Sequence, residues 1–336
     1  MKIIIKEKFD NELMEKWEEL EKDSVITFFQ TYYCNNSWFK NIEHKNNFKL
    51  QIVICEYHSK LFAIFPFILK KKFTLTTLEW AGQNLFDYNG PIFRKNFDLS
   101  KENFIKLWND ILASINKFDL IFLKNQIDDQ DYIYNPIIKY IKCKYQNKSF
   151  GIKKNNSPNQ LIDNKNYHRI KNIKKLGSFE FKVAENTTDK LAIIDQTINN
   201  KIFNNKISIQ NNLKITRKFY MNLIEKKNLH CSAVYLNQRI IASHFGIIDN
   251  DRFVYLVPSY LKDKKIKKYS PGKILLNNLI NFFFNSNLKY FDFAAGDEIY
   301  KIKFSNHENR IFYYIAANTI SGYFLLLLRR IKNNLL

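Results

Sequence analysis

The residues best suited to chemistry lie between Tyr290 and Phe304, YFDFAAGDEIYKIKF. Tyr290 to Ala294 reads as a buried strand that carries one carboxylate, Asp292, and stops at a glycine turn, Gly296. Glu298, Tyr300 and Lys301 follow at once. In acyl or proton transfer a carboxylate can take a proton, a phenol can give one, and an ammonium can hold developing negative charge. Upstream, Tyr269 to Leu276 (YSPGKILL) opens a helix on a glycine. Backbone N–H groups at such a start can point at a phosphate, and the helix dipole assists them. Tyr269, Ser270, Gly272 and Lys273 are therefore the candidates for gripping a phosphorylated donor, and Pro271 suits a first helical turn. His244 sits mid-strand and is a further candidate base.

These residues need strands and helices to hold them. Residues 9 to 22 space Leu13, Trp17 and Leu20 as an amphipathic helix does. Phe48 to Glu56 and Leu61 to Leu69 read as strands joined by a short polar turn, with Phe73 to Trp80 as another strand. A loop, AGQNLFDYNGP, follows and carries Asp87 and Tyr88. Ser100 caps a helix striped by Phe104, Leu107, Trp108, Ile111 and Leu112. Asp119 to Leu123 is a short buried strand. The polar, Asn-rich stretch 124 to 166 reads as a crossover between halves. Beyond it come a basic helix closed by Gly177, a strand from Phe179, helices near 188 to 200 and 215 to 226, and strands His230 to Tyr235, Ile240 to Ile248 and Asp251 to Pro258. Helix Lys273 to Asn285 then leads into the site strand. Ile311 to Leu328 holds no charge and is followed by Arg329-Arg330. Its polar middle, AANTISGY, argues for a strand and then a short amphipathic helix with a basic end, not a membrane span.

The 336 residues allow two domains, and 46% hydrophobic content supplies a core for each. The formal charge of +21 suggests a polyanionic partner or a membrane surface. Lys, Asn and Ile crowd the chain together, as AT-rich codons dictate, so codon usage is a competing cause of that charge. The four Cys are scattered without a CxxC pair and read as reduced thiols, and no His stands at metal-ligand spacing. MKIIIKEKF has too short an apolar run for a signal peptide.

Residues 52 to 69 can be laid on 231 to 248 at an offset of 179, which puts Lys60-Leu61-Phe62-Ala63 on Arg239-Ile240-Ile241-Ala242. Each copy is strand, tight turn, strand. Each is followed by a third strand, a loop, a helix and a short buried strand. The shared order predicts two similar α/β domains, 1–150 and 151–336, with the charged site in the second alone. The first copy's last strand ends in LKNQ, without glycine, acids or a Tyr-Lys pair.

QRIIASHFG (238 to 246), YSPGKILL (269 to 276) and DFAAGDEIYKIKF (292 to 304) resemble motifs of the cellulose-biosynthesis (BioF2-like) group of GNAT acyltransferases. These are relatives of the FemAB-like aminoacyl transferases that build peptidoglycan cross-bridges. Weaker similarities lie at 24 to 39, 86 to 93 and 168 to 177. The resemblance implies an α/β (α+β) fold of tandem GNAT-like domains, each a mixed, mostly antiparallel sheet flanked by helices, the first forming the acceptor side and the second the catalytic, donor side. It also implies a cytoplasmic acyltransferase acting on surface-polysaccharide or envelope precursors. Acyl-CoA is the expected co-substrate, with no permanently bound cofactor. Lys301 takes the charge-stabilising role by that resemblance, and Asp87 and Tyr88 the acceptor side. The acceptor is a small or lipid-linked sugar. Aminoacyl transfer from tRNA, which the charge suits, and a non-catalytic basic binding protein of an envelope assembly are the competing readings. Peripheral contact with the inner membrane face through the C-terminal helix is left open. No Cys or Ser stands beside a base, so direct transfer is expected, without a covalent enzyme intermediate.

Overall fold

A computed structural model describes residues 1–42, 47–97, 99–129, 134–154, 165–202, 207–225 and 228–334. In chain order, β1 (Lys2–Lys6), α1 (Asn11–Lys22) and α2 (Tyr32–Asn41) precede β2 (Phe48–Tyr57), β3 (Lys60–Lys72), β4 (Leu75–Trp80) and the short β5 (Ile92–Phe93). Then come α3 (Lys101–Ser114), β6 (Leu120–Asp128), α4 (Pro136–Tyr140) and β7 (Lys144–Lys153). The chain continues through α5 (Lys165–Ile173), β8 (Phe179–Val183), α6 (Thr187–Ile202), α7 (Ile207–Asn222), β9 (Leu229–Leu236), β10 (Arg239–Asp249) and β11 (Arg252–Tyr260). It ends with α8 (Lys264–Lys267), α9 (Pro271–Phe284), β12 (Tyr290–Ala295), α10 (Ile299–Phe304), β13 (His307–Ala317) and α11 (Ile320–Asn334).

Two compact units result, one of Met1–Lys148 with Asn309–Leu336, the other of Ser149–Glu308. In the first, β1, β2, β3 and β4 pair antiparallel in sequence, β4 runs parallel to β6, and β6 pairs antiparallel with β13. In the second, β8, β9, β10 and β11 pair antiparallel, β11 runs parallel to β12, and β12 pairs antiparallel with β7. Both are mixed, mostly antiparallel sheets flanked by helices. The expected division at 150/151 misses the tail: β13 follows β12 in sequence, but its apolar face and register serve β6, from Arg310↔Asp128 to Ala317↔Leu120. The crossover expected over 124 to 166 instead holds the rest of β6, α4 and β7; its parts at 130–133 and 155–164 lie outside the described residues. β7 escapes the pattern because its KYQNK opening alternates weakly and only Phe150 and Ile152 are buried hydrophobics.

β2 and β3 read as near-continuous apolar runs because both faces of that sheet are covered. On one face Val53, Cys55, Phe65 and Phe67 meet Phe104, Leu107, Trp108 and Ile111 of α3. In the second unit Ile274, Leu275, Leu279, Ile280 and Phe283 of α9 pack with Val234, Phe253, Phe291 and Phe293 of the sheet. α6 covers the opposite face, where Thr197 Oγ1 donates to Ser243 Oγ at 2.7 Å.

The offset of 179 survives to the level of single dihedrals. The β2–β3 turn puts His58 (φ 47°) and Ser59 (φ 61°) in the left-handed region, and the β9–β10 turn does the same with Asn237 (φ 49°) and Gln238 (φ 65°). Two consecutive positive φ values define the hairpin turn whose twist matches its strands. The register slips identically as well: Cys55↔Ala63 and Glu56↔Leu61 in one hairpin, Val234↔Ala242 and Tyr235↔Ile240 in the other.

Candidate active site

The parallel strands β11 and β12 share three pairs, Arg252↔Tyr290, Phe253↔Phe291 and Val254↔Asp292, and the ladder ends there among the described residues. Both strands bulge just beyond. Phe245↔Val257 and Ile247↔Val254 set two steps of β10 against three of β11. Asp292↔Gly151 and Ala295↔Ser149 set three steps of β12 against two of β7. A bulge bends its strand and stops regular pairing, so two facing bulges open a notch in the sheet.

Each bulge has an identifiable cause. At the first, Gly246 lies against β11 so closely that a Cβ would sit 2.2 Å from the Val254 carbonyl oxygen. Gly246→Ala is expected to cost about 1–3 kcal/mol through overpacking against backbone that cannot move away, read as a lowered urea midpoint. At the second, Ala294 adopts φ 61°, a region costly for a residue with a side chain. Asp292 holds it there: Oδ1 accepts the Ala294 N–H at 2.8 Å, and Oδ2 accepts from Arg252 Nη1 at 3.0 Å. The Arg252 guanidinium in turn lies over the Tyr290 ring at 4.7 Å. Asp292 is thus a buried bracket for the strand's exit.

A cavity of about 360 Å³ lies along the second half of β11, between that strand and the start of α9. Tyr255, Pro258 and Tyr260 of β11 form one wall, and Tyr300 and Phe304 of α10 another. The remaining side is the start of α9, with Ser270, Gly272 and Lys273, and Lys267 just before it. Ser270 is left-handed (φ 54°) and its hydroxyl does not cap the helix. Tyr269 turns away to pack on the core, under the Lys268 ammonium at 5.0 Å.

Glu298 is the N-cap residue of α10, and Gly296 (φ 120°) delivers it. Lys301 is buried; its Nζ donates to the Ala295 carbonyl at 2.6 Å and to Glu298 Oε2 at 2.8 Å. Burial by itself raises the Glu298 pKa. The Lys301 hydrogen bond, its own backbone N–H and the charges of Lys301 and Lys201 outweigh this and hold the carboxyl below the usual range. Tyr300 is pushed well above the ordinary phenol range, first by burial and then by the Glu298 charge. At neutral pH the pair is an ionised carboxylate beside a protonated phenol.

Of the candidates, Ser270, Gly272, Lys273 and Tyr300 line this cavity, and Tyr269, Asp292, Glu298, Lys301, His244, Asp87 and Tyr88 do not. His244 is fully enclosed, stacked on Tyr255 at 4.6 Å and near-parallel to it, and neither ring nitrogen has a hydrogen-bond partner among the described residues. Burial, and then the nearby His230, keep it neutral far below its usual pKa. Asp87 and Tyr88 belong to the first unit, where the buried Tyr88 ring meets Phe29 edge-on at 6.1 Å. Burial pushes the thiols of Cys55, Cys143 and Cys231 up to about 12, far from a reactive thiolate.

Sequence reasoning passed over Tyr255, Lys267, Lys201 and Arg252. Arg252 had a signal, a lone cation opening the apolar run RFVYLV. Lys201 had none: it reaches the site by its field on Glu298 from α6, a long way back in the sequence.

Residues 164–302 match the family model described as an acetyltransferase (GNAT) domain. The second unit has a GNAT fold. No curated protein matches the sequence. Among solved structures the chain is similar to FemX (TM-score 0.58, 9% identity, 94% of this chain and 98% of that one). It is also similar to L-PGS from Bacillus licheniformis (0.54, 10%, 94% and 96%) and to a tandem GNAT protein from the clavulanic acid biosynthesis pathway (0.52, 7%, 94% and 98%). The tandem GNAT architecture thus extends over both units, and acyl-CoA is the co-substrate that this fold suggests.

Proposed function

We propose that this chain is an acyltransferase that takes its acyl group from acyl-CoA and passes it directly to an amine or hydroxyl of a sugar or amino-sugar, free or lipid-linked, destined for the envelope or a surface polysaccharide. The observation that carries this reading is the cavity between the bulged β11 and the start of α9. Phosphates fit there on chemical grounds: the α9 N-terminus supplies oriented N–H groups, and Lys267 and Lys273 supply charge. The bulge in β11 leaves one residue outside the ladder at the notch, and its backbone N–H is a candidate donor to a developing oxyanion. Tyr300, neutral and lining the cavity, is the candidate to protonate the departing thiolate. Glu298 has too low a pKa for an efficient general base while Lys301 holds it, and its role is to fix Lys301 beside the strand exit. Lys301 supplies positive charge at that exit.

Coenzyme A is expected to raise the unfolding temperature, and Lys273→Ala to weaken its binding about tenfold, as loss of one charge-assisted contact would. The competing reading is aminoacyl transfer from tRNA, supported by the +21 charge. If coenzyme A has no effect while tRNA binds with a steep salt dependence, that reading replaces the first.

A further inference from the structure

α11 presents an apolar stripe to solvent. Ile320, Tyr323, Phe324, Leu327 and Leu328 are all exposed, Ile320 at 91% and Phe324 at 63%. Their spacing, i, i+3, i+4, i+7, i+8, is one face of an α-helix. The inward face is fixed by Gly322, where a Cβ would sit 1.9 Å from the Asp119 carbonyl oxygen, and by Leu325 and Leu326, which are half-buried. The helix cannot roll to hide its stripe without moving its backbone off Asp119. Thr319 locks the start: its Oγ1 donates to Asp119 Oδ1 at 2.7 Å and accepts the Gly322 N–H at 3.2 Å.

Asp119 also ties this helix to a second exposed feature of the same unit. Its Oδ2 accepts the Thr76 N–H at 2.8 Å, and its own N–H donates to the Thr76 carbonyl at 2.8 Å. Thr76 lies one residue into β4, next to the β3–β4 turn. At that turn Phe73 is 86% exposed, behind exposed Lys71 and Lys72. Lys117, two residues before Asp119, is exposed as well. Along α11 the sequence continues Arg329-Arg330-Ile331-Lys332.

An exposed aromatic at a lysine-flanked turn, beside an exposed apolar helix stripe, is the chemistry of an anionic bilayer surface. Apolar side chains enter the acyl boundary and cations meet lipid phosphates. We propose that this end of the first unit docks on an anionic membrane surface, with α11 lying in the interface plane and Phe73 inserted beside it. The charge decides for this occupant over a second copy of the chain, because two such lysine-bearing faces repel. No helix among the described residues is long and apolar enough to cross a membrane, so the contact is peripheral.

The test is co-sedimentation of the full chain with vesicles. The expected result is binding to vesicles containing phosphatidylglycerol, weak binding to pure phosphatidylcholine, and release by salt. Phe324→Ser with Leu327→Ser is expected to abolish binding while leaving the unfolding temperature unchanged, since both side chains are exposed. Lys71→Glu with Lys72→Glu is expected to weaken binding at least about tenfold. The proposal is overturned if the full chain ignores anionic vesicles, if the serine variant binds as well as the parent, or if light scattering shows a dimer that the serine variant dissociates in the absence of any lipid binding.

Discussion

Lys301→Ala lowers acyl transfer by about a hundredfold or more, the loss typical of removing one preorganised charge or donor from such a site. The measurement is release of free thiol from an acyl-CoA in the presence of candidate amino-sugar acceptors. The ammonium has two duties that the substitution removes together. It neutralises Glu298, and it ties the Ala295 carbonyl at the end of β12 to the first turn of α10. Tyr300 lies on α10 between Glu298 and Lys301, so its phenol also shifts when the contacts of Lys301 are lost. Lys301→Arg separates the duties. The guanidinium keeps the charge but presents it as a wide planar fork, where the buried site fits a single ammonium. Substantial recovery in Lys301→Arg assigns the effect to charge, and none assigns it to geometry. Activity unchanged in Lys301→Ala would remove Lys301 from the site. Tyr300→Phe is the companion measurement: loss of turnover with little change in coenzyme A binding marks a proton donor, whereas loss of both marks a wall of the cavity.

The second large effect falls on stability. Asp292→Ala is expected to cost about 3–5 kcal/mol, because it removes one member of a buried ion pair together with the hydrogen bond to the Ala294 N–H. For a unit of this size that is a fall of roughly 10 °C in the unfolding temperature of the second unit. Asp292→Asn also removes the carboxylate charge from Arg252 but keeps an oxygen for the Ala294 N–H, so it is expected to cost less than Asp292→Ala by about the 1 kcal/mol such a bond contributes. If the two substitutions cost the same, the bond to Ala294 contributes nothing and the bulge is held by other contacts. If neither destabilises, the pair is not the bracket described above. Hydrogen exchange at β12 locates the effect: it is expected to rise there and in β11, while β2 and β3 in the other unit stay protected.

Much of this was legible in the residues alone. The apolar runs of β2, β3, β9 and β10 named themselves because strands covered on both faces carry few polar interruptions. The repeat at offset 179 held because a two-residue hairpin turn demands a fixed length and two left-handed residues, which leaves no room for drift between copies. The stretch from Tyr290 to Phe304 gathered Glu298, Tyr300 and Lys301 by short-range geometry, a glycine turn followed by one helical turn. Ser270, Gly272 and Lys273 came to the cavity for the same reason: they open one helix.

What failed to show in the sequence were the relations that cross long stretches of chain. Each unit takes its last strand from beyond the sequence of the other's final parallel strand, β7 to β12 and β13 to β6, and no local pattern records which edge a strand will choose. The facing bulges that open the notch depend on Gly246 fitting under the Val254 carbonyl and on Asp292 meeting Arg252, pairings between residues far apart. His244 looked like a base because residue type alone suggests one. Tertiary packing stacked it on Tyr255 and took it out of reach of water. The exposed stripe of α11 was visible as an amphipathic pattern, but only the contact of Gly322 with Asp119 decided which way it faces. Sequence determined the elements and the chemistry each can carry, because those follow from neighbours along the chain. The fold decided which side chains keep their charge, their access and their partners, because those depend on what is packed around them.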